Sequence, residues 1–369
     1  MKTSFYLCLP LLLLQLAQLS TAQTPDPLKI GWTGPLTGNS AVLGIDSVQA
    51  AQIAMDETNA QGGIAGRKVQ LLVEDDQYDT TKSISAYHKL VSEGAVAIIS
   101  STYGSVFATA DLAVKDNVIV IDPLDCNNEI AKLAENTFCI ATESESIGRS
   151  ISQDISQKGF EQVGVIYDEK NPFMVLVQSV IQKEHPNSVI VGLDQGNADF
   201  KATLTRLKAK DIRALVLLGH DPMGEAMREA RNLGIKAQFY TVGTITSPGY
   251  QKLAGDSANG TLVAYWEAVH SSAYQSFLDK FQKKVGRPPI LELATIPTYD
   301  STKILMDALR VAVAGGKPID IAAAKRYFYT LKDYPGLSGT ITMDPDGAVR
   351  TIREAIYAYK SGKLVAAHH

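Results

Sequence analysis

The chain has 369 residues, a formal net charge of -4, and 45% hydrophobic and 20% charged residues. Lys and Arg are scattered among Asp and Glu, which argues against a phosphate-tracking surface and hence against nucleic-acid binding. The length suffices for two domains.

Residues 1–22 read as a secretory signal: Lys2 near the start, an apolar core from Leu7 to Leu14 interrupted by Pro10, and a small-residue exit at Ser20, Thr21 and Ala22. Export is the expected consequence. Nothing later reaches the roughly 20 apolar residues that a membrane span needs. Cys8 lies inside the signal, ahead of most of its apolar core, so a lipoprotein cysteine at the cleavage point is not expected. Cleavage leaves Cys126 and Cys139, and an exported pair predicts a disulfide worth about 3 kcal/mol by chain entropy. A catalytic or metal-binding cysteine lacks support, because there is no CxxC and the histidines are dispersed.

The first strand, LKIGW, runs through the glycine-rich turn GPLTGNSAVLG into the helix DSVQAAQIAMDETNA. Thr37, Asn39 and Ser40 in this turn can present hydroxyls and backbone N–H groups to a ligand. Its spacing fails both GxGxxG and GxxxxGK[ST], which disfavours nucleotides. Strand then alternates with helix: VQLLVED, TTKSISAYHKLVSEG, AVAIISS, SVFATADLAVKDN and VIVID. The alternation begins again with ESIGRSISQDISQKG and VGVIYDE, and continues through PFMVLVQSVIQKEH, SVIVGLDQG, DFKATLTRLKAKD, ALVLLGH and PMGEAMREARNLG to QFYTVG. Continuous apolar strands separated by helices imply two parallel sheets, each covered on both faces. Gly62-Gly63, Gly94, Gly159 and Gly234 stand at helix C-termini, and Asp199, Asp221 and Ser247 stand where helix caps belong.

The motifs GPLTG, GGIAG, EDDQYD, AIISSTYGS, VIYDE, REARNLGIKAQF and GLSGTITMDPDG together resemble the type I periplasmic solute-binding proteins of the leucine/isoleucine/valine-binding family. The resemblance covers nearly all of the mature chain. It implies two Rossmann-like lobes joined by a hinge that the chain crosses three times, here near Thr142, Trp266 and Thr340. The first lobe would comprise 27–142 and 267–340, the second 143–266 and 341–365. It further implies a periplasmic, monomeric protein that closes on a small organic solute, an amino acid or related carboxylate-bearing compound, and delivers it to a membrane ABC permease, or hands its closed form to a sensory receptor. No cofactor is expected.

Ligands of open α/β sheets lie beyond the carboxyl ends of the strands. Tyr103, Gly104 and Ser105 stand at such an end, and family members that bind amino acids hold the ligand carboxylate from this turn; plain capping by Ser101 or Ser105 is the alternative. Asp125 and Asn127 follow the next strand, where Asp125 can either meet an ammonium or cap a helix beginning near Asn128. Leu43 occupies a position where relatives often place an aromatic wall, with ordinary packing as its alternative. In the second lobe, Asp168 to Phe173, Gly219 to Asp221 and Gly243 to Thr246 should face the cleft. Among them Phe173 is a candidate apolar wall, and His220, Asp221 and Thr244 are candidate polar contacts. Phe173 can equally be core and Asp221 a helix cap.

One departure concerns the ligand. Amino-acid binders of the family commonly carry an acid just after the strand that here reads QFYTV, but this chain has Gly243 and Thr244. Either Asp125, Asp221 or Glu267 replaces that contact, or the ligand has no ammonium. Enzymatic motifs such as GxSxG and HExxH are absent. Asp75 and Asp76 at a strand end read as solvated turn chemistry rather than a metal or acid–base pair.

Overall fold

A computed structural model describes residues 25–133, 135–267, 271–313 and 318–367. The expected signal segment, His270, and the C-terminal His368 and His369 lie outside the described residues. Among the described residues, no helix is long and apolar enough to cross a membrane.

The first sheet contains β1 (Leu28–Gly34), β2 (Val69–Asp75), β3 (Ala95–Ser100), β4 (Ile119–Asp122) and β5 (Thr137–Cys139), in the order β2-β1-β3-β4-β5 and wholly parallel. The second contains β6 (Val163–Asp168), β7 (Val189–Leu193), β8 (Ala214–Leu218), β9 (Gln238–Val242) and β10 (Leu262–Trp266). A minor pair, β11 (Tyr334–Pro335) with β12 (Thr340–Ile341), precedes the last strands, β13 (Glu354–Lys360) and β14 (Lys363–Ala366). The second sheet runs β14-β13-β10-β9-β8-β6-β7, parallel except for the antiparallel edge formed by β13 and β14. Both sheets carry helices between strands, as the alternation predicts.

Why these residues form these elements is plain in β8, where Ala214–Leu218 is buried throughout. A strand covered on both faces needs apolar side chains on both sides of its pleat. Gly62, Gly63, Gly94, Gly159 and Gly234 all have positive φ, the left-handed conformation that ends helices at little steric cost. Asp199 caps its helix by accepting from the Ala202 N–H at 3.0 Å, and Ser247 does the same for Tyr250 at 3.1 Å. Asp221 does not cap; its carboxylate accepts from the Ser247 hydroxyl instead.

Sheet membership changes at three places. The chain leaves the first sheet after β5, enters the second at β6, and leaves it after Trp266. The third passage comes later than the expected position near Thr340. Ile341, Met343, Ala348, Val349 and Ile352 are packed into the core that holds Leu28, Ile30 and Trp32, so the chain joins the second sheet only at Glu354. Their apolar side chains keep this segment on the first lobe, and polar links reinforce it: the Arg350 guanidinium donates to Asn128 Oδ1 at 2.5 Å.

Candidate functional site

The carboxyl ends of the two sheets face each other across a cavity of about 90 Å³. First-lobe residues in its wall include Leu43, Tyr78, Leu124, Asp125, Leu293 and Pro297. Second-lobe residues include Asn171, Phe173, His220, Gly243, Thr244 and Tyr265. Thr142, Trp266 and Glu354, at or beside the three chain passages, also line it, so the hinge forms part of the wall.

Asp125 is aimed by its own loop. The Asp122 carboxylate accepts the N–H groups of Leu124 at 2.8 Å and Asp125 at 2.9 Å, a local turn that fixes the backbone. Asn127 caps the short helix Asn128–Ala131 by accepting from Glu129 and Ile130, the role considered above for Asp125. Cys126 and Cys139 form a disulfide, with Cα atoms 5.0 Å apart, that ties this loop to β5. Asp125 is only 7% exposed, and burial pushes its pKa up to about 7. Burial, then the neighbouring Asp125, raises Asp122 well above the usual carboxylate range.

On the other side, Asn171 Oδ1 accepts from the Phe173 N–H at 3.0 Å and the Met174 N–H at 3.4 Å, so its amide nitrogen is the end turned to His220 Nε2, at 3.1 Å. That contact makes Nε2 an acceptor and assigns the ring proton to Nδ1. His220 is 2% exposed, burial lowers its pKa to about 4, and Nδ1 is buried without a hydrogen-bond partner. The imidazole is therefore neutral, with one unused donor. The Thr244 hydroxyl donates to the Gly219 carbonyl at 2.7 Å. Glu354 opens β13 opposite Trp266; burial raises its carboxyl pKa to about 8, and its Oε2 is buried and unpartnered.

Leu43, Asp125, Phe173, His220 and Thr244 thus meet at the cavity, whereas Tyr103, Gly104, Ser105, Asn127 and Asp221 are not in its wall. The Tyr103 hydroxyl accepts from Asn127 Nδ2 at 2.6 Å, and its ring stands 6.5 Å from that of Phe173. A Cβ on Gly104 would approach Thr80 Oγ1 to 2.5 Å, and Ser105 is fully buried with an unpartnered hydroxyl. The β3 turn is packed under the helix Thr80–Ser92 rather than opened to the cleft. Neither Ser101 nor Ser105 caps the helix Tyr103–Asp116. Glu267 is exposed and outside the wall.

The opening turn contributes Leu43 alone. Thr37 is exposed and donates to Asp75 at 2.6 Å. Gly44 serves packing: a Cβ there would lie 1.9 Å from the Pro35 carbonyl oxygen. Asp76 differs from the solvated turn residue expected, being fully buried and accepting from the hydroxyls of Ser83 and Thr102 at 2.8 Å and of Thr33 at 3.3 Å.

Tyr78, Thr142, Trp266 and Glu354 were not among the sequence candidates for ligand contact. Tyr78 follows Gln77 in a double left-handed turn, with φ of 60° and 56°, whose only sequence trace is the EDDQYD motif. An acid at the start of the strand EAIYAYK is the trace left by Glu354.

The sequence profile of the periplasmic binding protein family matches residues 27–361. The chain is a type I periplasmic binding protein of the leucine/isoleucine/valine-binding family. Membership makes it a binding protein rather than an enzyme. It is similar to the Leu/Ile/Val-binding protein homolog 2 of Brucella abortus (strain 2308), 24% identical over 91% of each chain. It is also similar to the Leu/Ile/Val-binding protein of Escherichia coli K12, 27% identical over 64% of this chain and 67% of that one. The fold is shared with the branched-chain amino acid transporter substrate-binding protein LivJ of Streptococcus pneumoniae in complex with isoleucine, at a TM-score of 0.82 and 23% identity over 92% of this chain and 98% of that one. A Rhodopseudomonas palustris solute-binding protein in complex with benzoate shares it too, at a TM-score of 0.78 and 17% identity over 92% and 95%. A Cβ on Gly243 would lie 2.1 Å from Leu293 Cδ2 and 2.7 Å from the Tyr265 ring, so the space beside this turn is filled by side chains from both lobes.

Proposed function

We propose that this protein captures a small, largely apolar solute between its lobes outside the cytoplasm and delivers the closed form to a membrane ABC permease. The observation that carries this is the cavity itself, at the carboxyl ends of both sheets and walled by both lobes and the hinge. Contacts made to both lobes at once exist only when the lobes are together, so a ligand that makes them shifts the population toward closure. The signal-like residues 1–22 supply the route of export. Leu43, Asp125, Phe173, His220 and Thr244 are its ligand contacts, joined by Tyr78, Asn171, Trp266 and Glu354. The chain acts as a monomer, since one copy supplies both walls.

Isoleucine and benzoate, the ligands of two proteins of the same fold, are the first compounds to try, followed by small alcohols, amides, amines and dicarboxylates. Ligand should raise the melting midpoint by mass action and shrink the radius of gyration measured by small-angle scattering. If no member of such a panel moves either quantity, solute capture in this cleft is wrong.

A further inference from the structure

The acids and bases of the cleft are unevenly supplied. Asp125 comes from the first lobe and Glu354 from the hinge end of β13, and no Lys or Arg lines the cavity among the described residues. Arg149 is engaged with Glu143, Lys170 with Asp194 at 2.5 Å and Arg350 with Asp344 at 2.6 Å, while Arg353, next to Glu354 in the chain, is exposed and outside the wall. The groups that face Asp125 are Asp122, Tyr78, Tyr103 and the Ser144 hydroxyl, and those around Glu354 are the Thr142 hydroxyl, Tyr265 and Tyr357. None is a cation, and His220 is neutral. An anion entering the cavity would meet two acids and no positive partner. A cation would supply the positive charge that neither carboxyl meets in the cavity wall; each has only a hydroxyl neighbour, Ser144 for Asp125 and Thr142 for Glu354.

The rest of the wall suits such a ligand. Tyr78, Phe173, Tyr265 and Trp266 line the cavity, and aromatic faces attract ammonium groups as well as hydrocarbon. His220 Nδ1, buried and unpartnered, is a donor for a neutral oxygen on the same molecule. Leu293 and Tyr265 occupy the place beside Gly243, so an ammonium must be met at Asp125 and Glu354 rather than there.

We infer that the ligand is a small organic cation, an amine carrying apolar groups, whose charge is neutralised by Asp125 and Glu354 and whose hydrocarbon lies against the aromatic wall. The inference rests on solute capture in this cleft and narrows its ligand class. Because burial holds both carboxyls partly protonated near neutral pH in the empty protein, a cation must displace protons as it binds. Cation affinity therefore rises from pH 6 to pH 8.

Titration calorimetry of the full-length protein with benzylamine, benzyl alcohol and benzoate compares three molecules that differ chiefly in charge. Benzylamine should bind tightest, with a heat that depends on the buffer because protons are released. Asp125→Asn and Glu354→Gln should each weaken benzylamine about tenfold or more and narrow its advantage over benzyl alcohol. Tighter binding of benzoate or benzyl alcohol overturns the cation class and leaves solute capture standing. So does net proton uptake with benzylamine, or unchanged benzylamine affinity in both variants while their melting curves remain cooperative. If nothing in the wider panel binds, both readings fall together.

Discussion

Two pairs of acids, Asp75–Asp76 after β2 and Asp125–Glu354 at the cleft, show how similar side chains serve different ends. Asp75 accepts from the Leu36 and Gln77 N–H groups and the Thr37 hydroxyl, while Asp76 accepts from three hydroxyls and the Tyr78 N–H at 2.9 Å. They stitch the ends of β1, β2 and β3 together and hold the GPLTG turn. Asp125 and Glu354 are also drawn out of water, but each meets a single hydroxyl, from Ser144 and Thr142, in a cavity walled by aromatic side chains, and Glu354 Oε2 is left without a partner. A buried carboxyl held by several donors is scaffold; one held by a single hydroxyl at a cavity wall faces whatever enters the cleft.

The largest expected effect falls on the scaffold pair. Asp76→Ala strands the donors of Thr33, Tyr78, Ser83 and Thr102, and should lower unfolding stability by about 3 kcal/mol or more in urea titration. An unchanged midpoint would erase the distinction between the pairs. Next comes the disulfide, which mounts Asp125 on β5. Replacing both cysteines by serine should lower stability by about 3 kcal/mol. Two freely alkylated thiols in unreduced protein, read by intact mass, would show that the bond does not form.

Burial raises the pKa of Asp76 as well as that of Asp125, but Asp125 has far fewer donors around it. Its folded pKa, about 7, lies above the ordinary carboxylate value, so the unfolded chain gives up this proton at lower pH than the folded one does. Stability of the empty protein should therefore fall as pH rises from the ordinary carboxylate range to about 7, and Asp125→Asn should flatten that slope. A wild-type curve that rises across this window would contradict the buried, underpartnered state. The smallest effect is expected at Ser105, whose buried hydroxyl has no partner. Ser105→Ala should shift stability by no more than about 1 kcal/mol and leave affinity for any cleft ligand unchanged. A tenfold loss of affinity would return the β3 turn to the binding site.

Much of the fold was legible from local pattern. VQLLVED is β2 residue for residue, and TTKSISAYHKLVSEG holds the helix Thr80–Ser92 with Glu93 and Gly94 just past its end, because strand and helix periods and their glycine stops are written in consecutive residues. The last hinge passage was misplaced because GLSGTITMDPDG has no strong period; which core takes Ile341 and Val349 depends on space left by distant residues. The site divided in the same way. Residues of the loops after β4, β6, β8 and β9 line the cavity, since every parallel strand points its carboxyl end there. Direction within a loop was not predictable: Tyr103 and Asn127 turn toward each other, and Asp221 turns to Ser247.

By itself the sequence determined two α/β lobes, the glycine-marked helix ends, the pair of cysteines, and the absence of an acid after QFYTV. Those features depend on residue type and on spacing along the chain. Only the tertiary structure decided that Leu293 and Tyr265 fill the space beside Gly243, that Asp76 is fully partnered, and that Asp125 and Glu354 share one cavity without a basic neighbour. Charge balance in a buried site is a property of everything packed around it, drawn here from segments more than two hundred residues apart, and local pattern carries no record of that company.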